Sequence, residues 1–236
     1  MVLAALAALL LTSQVSGTAL KITDPADDTP AIAAARANRP LVKIPPRFLD
    51  GPQPEFPDAA RAAGEHGAVV VAGVVGTDGK LTEIRIAESS RSILLDASAL
   101  AAAGAARYAP ARDAQNRKIS VFAEVPMLFD NAHSPGRGGG ALRYTCAQLV
   151  RDNDWWHRTW PVEKKDQFYV MMLGFTAINN ARRLNGMPDM DQFRRASGEF
   201  PTRWDAAITA CRTAPDKLFI DIFQPEGEAM RRLAGG

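Results

Sequence analysis

The chain has little of what chemistry usually requires. It holds three histidines and two cysteines, and aromatic residues make up 7% of it. The two cysteines, Cys146 and Cys211, lie too far apart for a CxxC redox or zinc pair. No HExxH, nucleophile elbow, P-loop or dinucleotide fingerprint occurs, so no catalytic residue, metal or cofactor is expected. Charge of one sign is also missing. Residues 1–140 carry 14 Lys and Arg against 14 Asp and Glu, and residues 141–236 carry 14 against 12. Neither half is basic and no basic run is interleaved with aromatics, which argues against a nucleic-acid partner. The apolar run at residues 1–11 is about half of the roughly 20 residues that span a bilayer.

That run is followed by Thr12-Ser13-Gln14 and the small residues Ser16 to Ala19. It reads as a secretory leader, residues 1–19, cleaved near Gly17 to Ala19. Without a basic segment ahead of it, it also suits an inner-membrane anchor. Either reading places the mature chain outside the cytoplasm, in the periplasm. In that compartment Cys146 and Cys211 are expected to form a disulfide; two buried thiols are the alternative.

Residues 20–53 contain Pro25, Pro30, Pro40, Pro45, Pro46 and Pro52. Proline fixes φ and removes a donor, so the segment reads as an extended tether, with a short helix at Ala31 to Ala37. PDAARAAG then predicts a short helix ended by Gly64. Ala68 to Val75 is a β-branched strand, and Thr77-Asp78-Gly79-Lys80 is a hairpin turn. In the return strand Ile84 and Ile86 alternate with Glu83, Arg85 and Glu88. Ser92 predicts an N-cap, and Leu95, Ala99, Leu100 and Ala103 form a helical stripe stopped before Pro110. Finally Ile119 to Phe129 alternates as a strand with one apolar face. Pro126 cannot donate to a ladder, which puts this strand at a sheet edge.

Helix, strand, strand, helix, strand in this order resembles the C-terminal domain of the TonB energy-transducer family. The residues that carry the resemblance are PEFPDAAR, Gly67-x-Val69, TDGKLTEIRIAESS, LLDASAL, ARYAPA and EVPMLF, over residues 54–130. Ala106 stands where the family often has Trp, and Arg91 where Gly often follows the serine pair. The resemblance implies an edge strand that captures an extended segment of an outer-membrane receptor by strand addition. The implied surface is Ser120, Val121, Phe122, Ala123, Glu124 and Val125, with outward Phe122 and Glu124 tuning specificity. A protected or self-pairing edge is the alternative use. The family's energy transducers carry an N-terminal membrane helix with a histidine and a long spacer. Residues 1–20 here hold no histidine, and a tether of this length reaches roughly 110 Å at most. Ser89, Ser90 and Asp96 read as turn and cap polarity, and His66 sits in a loop without a motif.

Residues 131–142 are a linker by composition. Residues 143–226 read as helical, with residues 227–236 as a flexible tail. CAQLVRDNDWWHRTW is amphipathic, DQFYVMMLGFTAINNARR is apolar on most sides and expected to be a buried central helix, and PDKLFIDIF suits a helix or a strand. Asp154-Trp155-Trp156-His157 invites a ligand-site reading, against one Trp in the core, one at its rim and an exposed His157. YTCAQL with TACRTAPDKLFIDIF resembles small periplasmic helical domains of the HdeA type and certain secreted immunity proteins, over residues 144–225. That implies a disulfide-stapled bundle. The expected whole is α+β: a TonB-like domain with a three-stranded sheet, then a disulfide-linked all-α domain. The expected function is a non-enzymatic, extracytoplasmic interaction protein that supports TonB-dependent transport. The alternative is a periplasmic chaperone or immunity-type inhibitor acting through the helical domain.

Overall fold

A computed structural model describes residues 27–130, 140–183 and 190–234. The expected leader, most of the Gly-rich linker, residues 184–189 and the last two residues lie outside the described residues.

The first half is a three-stranded antiparallel sheet between helices. Its strands are β2 (Gly67–Val75), β3 (Leu81–Glu88) and β7 (Val121–Phe129), in the order β3-β2-β7. The central β2 reads as a continuous apolar run because both its faces are covered; Val69, Val71, Ala72 and Val75 are fully buried. On one face lies α3 (Ile93–Ala105), whose N-cap Ser92 accepts from the Leu95 amide. Its Leu95, Ala99 and Ala103 meet the apolar parity of the strands, with Phe129, Val121 and Tyr108 closing the core. The short α2 (Asp58–Ala63) ends at Gly64 in the left-handed region, as the sequence predicts.

Residues 27–53 of the Pro-containing stretch are packed onto the domain, where a tether is expected. Thr29 caps α1 (Pro30–Ala37), its hydroxyl accepting from the Ile32 amide. Helix α1 lies on the sheet's second face, where Ile32 and Ala35 bury against Val74 and Phe122. Burying Ile32 contributes about 2 kcal/mol towards docking a segment its prolines suggest is free. Strand β1 (Arg47–Asp50) then pairs with β4 (Arg107–Ala109). An added Cβ at Gly51 would lie 2.8 Å from the Ala106 backbone, so the chain passes close beside small, buried Ala106. A two-residue hairpin, β5 (Ala111–Arg112) with β6 (Lys118–Ile119), leads into β7.

Among the described residues the second half is helical: α4 (Cys146–Thr159), α5 (Gln167–Arg183), α6 (Met190–Thr213), α7 (Phe219–Ile222) and α8 (Glu226–Ala234). Cys146 and Cys211 form the disulfide, stapling the start of α4 to the end of α6. Around it Phe168, Phe200, Trp204, Phe219 and Phe223 make a cluster of edge-to-face and stacked rings. Two expectations change here. Helix α5 is not buried all round: Phe168 and Met172 are buried, but Val170 and Ile178 are exposed because its neighbours cover only one side. Residues 226–234 form α8 where a tail is expected, because Glu226 is fully buried and ion-paired to Arg203. The ambiguous PDKLFIDIF resolves as both readings in turn: Leu218 bridges Thr145 as a strand would, and α7 begins at the next residue.

Candidate peptide-binding edge

Strand β7 pairs with β2 over its full length, from Gly67↔Phe129 to Val75↔Val121. Among the described residues no strand lies on its other margin. The register also settles which backbone groups that margin offers. Pro126 pairs with Val70. A proline fits there only if its missing N–H would point away from β2. Residues of the same parity therefore direct their backbone groups outward: Phe122, Glu124 and Leu128, with the Pro126 carbonyl. Ser120 confirms the parity, since its carbonyl accepts from Asn38 Nδ2 at 2.9 Å.

The predicted surface thus divides. Ser120 lies just ahead of β7 and its carbonyl already accepts from Asn38. Val121 is buried, and with Ala123 and Val125 it belongs to the core parity. Glu124 is exposed and faces outward as expected. Phe122 faces away from α3, but α1 covers it: the Arg36 guanidinium lies 3.9 Å from its ring centroid and that of Arg85 5.5 Å. Asp28 joins the two cations, 2.7 Å from Arg36 and 2.9 Å from Arg85. Burial opposes ionisation of Asp28, but the two guanidiniums outweigh it and hold the carboxyl below the usual range. An arriving strand therefore meets an open margin from Phe122 to Leu128, closed at one end by Asn38 and interrupted once by Pro126.

The polar residues ahead of α3 form a cap. Asp96 accepts from the Ser89 hydroxyl at 2.6 Å and from the Ser90 amide at 2.9 Å. The helical half leaves β7 open until its far end. There Leu128 and Phe129 share a cleft of about 290 Å³ with Trp156, Trp160, Lys164 and Val170. Sequence reasoning missed what closes this junction. His66 is buried, with ring centroids 5.3 Å from Trp155 and 5.2 Å from Trp156. The Asp-Trp-Trp-His run was the visible signal, but both tryptophans are buried and His157 is exposed, so the working histidine is the distant one. Gly64 marks the same contact: a Cβ there would lie 2.9 Å from the Arg151 carbonyl, so α2 turns directly against α4.

A three-stranded sheet backed by one long helix, with a complete ladder on one side of its last strand and an open margin on the other, defines an α+β interaction domain. Residues 52–130 match the family model described as the Gram-negative bacterial TonB protein C-terminal. Those residues carry a TonB C-terminal domain, which suggests an envelope setting, and the disulfide fits an extracytoplasmic one. No curated protein matches the chain. Among the described residues no helix is long and apolar enough to cross a membrane.

Proposed function

We propose that this is a non-enzymatic interaction protein of the periplasm. Its TonB C-terminal domain binds an extended segment of an outer-membrane TonB-dependent receptor, or of another envelope protein, by strand addition along β7. Through that contact it supports TonB-dependent transport. The leader either is removed on export or anchors the chain in the inner membrane. The observation that carries the reading is the outward parity of Phe122, Glu124 and Leu128 on a strand whose other side is fully paired. Such a margin offers alternate donors and acceptors to a second backbone. Self-association would use the same groups.

The parity supplies the test. A proline at Glu124 removes an outward donor and leaves the β2 ladder intact, whereas one at Val121 would break that ladder and unfold the sheet. Isotope-labelled full chain is titrated with synthetic peptides from the periplasm-facing segments of outer-membrane receptors. The amides of Phe122, Glu124 and Leu128 are expected to shift, and Glu124→Pro to abolish binding while keeping the fold. Shifts confined to the helical half, or none with any peptide, would overturn the reading.

A further inference from the structure

Two cations gather on one indole where the two halves meet, with a third beside them. The Arg91 guanidinium lies 4.1 Å from the Trp160 ring centroid and Lys164 Nζ 3.5 Å from it. Lys165 follows in sequence, its Nζ donating to the Val162 carbonyl at 2.9 Å. Arg91 comes from the turn ahead of α3, held by its bond to the Thr159 carbonyl. The lysines come from the loop between α4 and α5, so the cluster exists only because the halves are docked. Among the described residues none of the three makes an ion pair with a carboxylate; their polar partners are carbonyls and aromatic rings. Burial and the nearby Arg91 hold the Lys164 ammonium below the ordinary lysine value, although Glu88 acts the other way from beyond ion-pair distance. Like charges gathered at a partly desolvated site repel one another, and an arriving anion relieves them.

The cluster borders the cleft at the end of β7. Leu128 and Val170 expose apolar surface there, at 44% and 53%. The two carboxylates that line the cleft are already engaged, Asp166 by His66 and Asp130 by a partner of its own. Leu128 also has outward parity, so a chain zipped along the open margin arrives at this cleft directly.

We propose that the junction is a subsite for the acidic end of the extended peptide that β7 binds. An apolar side chain packs against Leu128 and Val170, and adjacent carboxylates are held by Arg91, Lys164 and Lys165. This rests on β7 being a peptide-binding margin, and it gives the helical half a role: it reads the sequence just beyond the paired strand. The partner's segment is therefore β-forming, then apolar, then acidic.

The test separates the two claims. Acetyl-Leu-Asp-Asp-amide, too short to zip along β7, is titrated into isotope-labelled full chain. The Trp160 indole N–H and the amides from Lys164 to Val170 are expected to shift, while Phe122 and Glu124 stay still. The shift should vanish in Arg91→Ala/Lys164→Ala/Lys165→Ala, weaken in the milder Lys164→Gln, and fade at high salt. No shift at millimolar peptide, an equal shift with acetyl-Leu-Asn-Asn-amide, or a shift that survives the triple variant would overturn the subsite. In a second arm Leu-Asp-Asp is appended, at either end in turn, to a peptide shown to engage β7. One of the two orders should bind about tenfold tighter, and the triple variant should erase that gain. No gain in either order counts against the subsite and leaves strand addition standing. A tripeptide that binds while no longer peptide perturbs β7 removes the strand reading alone.

Discussion

His66 Nε2 stands 3.3 Å from Asp166 Oδ1, so a loop residue of the sheet half and the residue before α5 clasp the two halves together. The other ring nitrogen, Nδ1, is 2.8 Å from the Gly64 carbonyl, which can only accept. Both nitrogens therefore face acceptors, and the doubly protonated imidazolium satisfies both. Burial alone would lower the pKa, but Asp166, the Gly64 carbonyl and Asp152 outweigh it and raise it above 6.5.

A raised folded-state pKa means the clasp is fully present below the ordinary value of 6.5 and is lost as pH rises through the raised one. Urea stability is therefore expected to fall from mildly acidic to mildly alkaline pH. Tryptophan fluorescence should follow the same titration, because His66 stacks on Trp156 at 5.2 Å. Lys164 and Lys165 line the same cleft as His66. His66→Gln should flatten both curves. A pH-dependence that persists in His66→Gln would assign it elsewhere.

The disulfide supports a different prediction. Cys146 and Cys211 are fully buried and separated by 65 residues. Closing a loop of that size restricts the unfolded chain by roughly 4 kcal/mol. Cys146→Ala/Cys211→Ala should destabilise the helical half by about that amount. The sheet half has its own core, which shares no residue with the helical one. Thermal unfolding is then expected to split into two transitions, the helical one lower; a single unshifted transition would contradict the assignment.

What the sequence disclosed followed from local pattern. The alternation in β7, the Thr-Asp-Gly-Lys turn, the Ser92 cap and Pro126 each act within a few residues, so strand, turn, cap and edge were legible. The docking of α1 was not, because Ile32 and Ala35 gain their burial from Val74 and Phe122, far along the chain. Nor was the parity of the open margin, which needs the pairing of Pro126 with Val70. The junction was hidden for the same reason: His66 lacks a motif until the fold brings Trp155, Trp156 and Asp166 around it.

Gly79 holds the hairpin against β4. Its φ is +80°, and a Cβ there would lie 2.2 Å from the Tyr108 carbonyl oxygen, while its own carbonyl accepts from the Tyr108 amide at 2.9 Å. Gly79→Ala must both strain the turn and push β4 away, so a loss of about 2 kcal/mol or more in the sheet half is expected by urea denaturation. Lys80→Ala, one residue on, has no such backbone conflict and should unfold like the wild type. Equal stability of the two variants would mean that the contact with Tyr108 does not constrain the turn.

A buried pair holds α8 against the rest of the helical half. Glu226 is fully buried and both its oxygens meet Arg203, the Oε1 contact at 2.9 Å. Its place in the first turn of α8 also suits a carboxylate. Removing one partner strands the other charge, which is where buried pairs are costly. Because Arg203 is partly exposed, Arg203→Met should destabilise by about 3 kcal/mol, the low end for breaking such a pair. Replacing both residues, Arg203→Met with Glu226→Gln, should recover most of that loss, because no unpaired charge remains. The cycle is read by urea denaturation, with helix content followed by circular dichroism. If the double variant is no more stable than Arg203→Met, the order of α8 rests on packing around Phe223 and Ala229 and not on this pair.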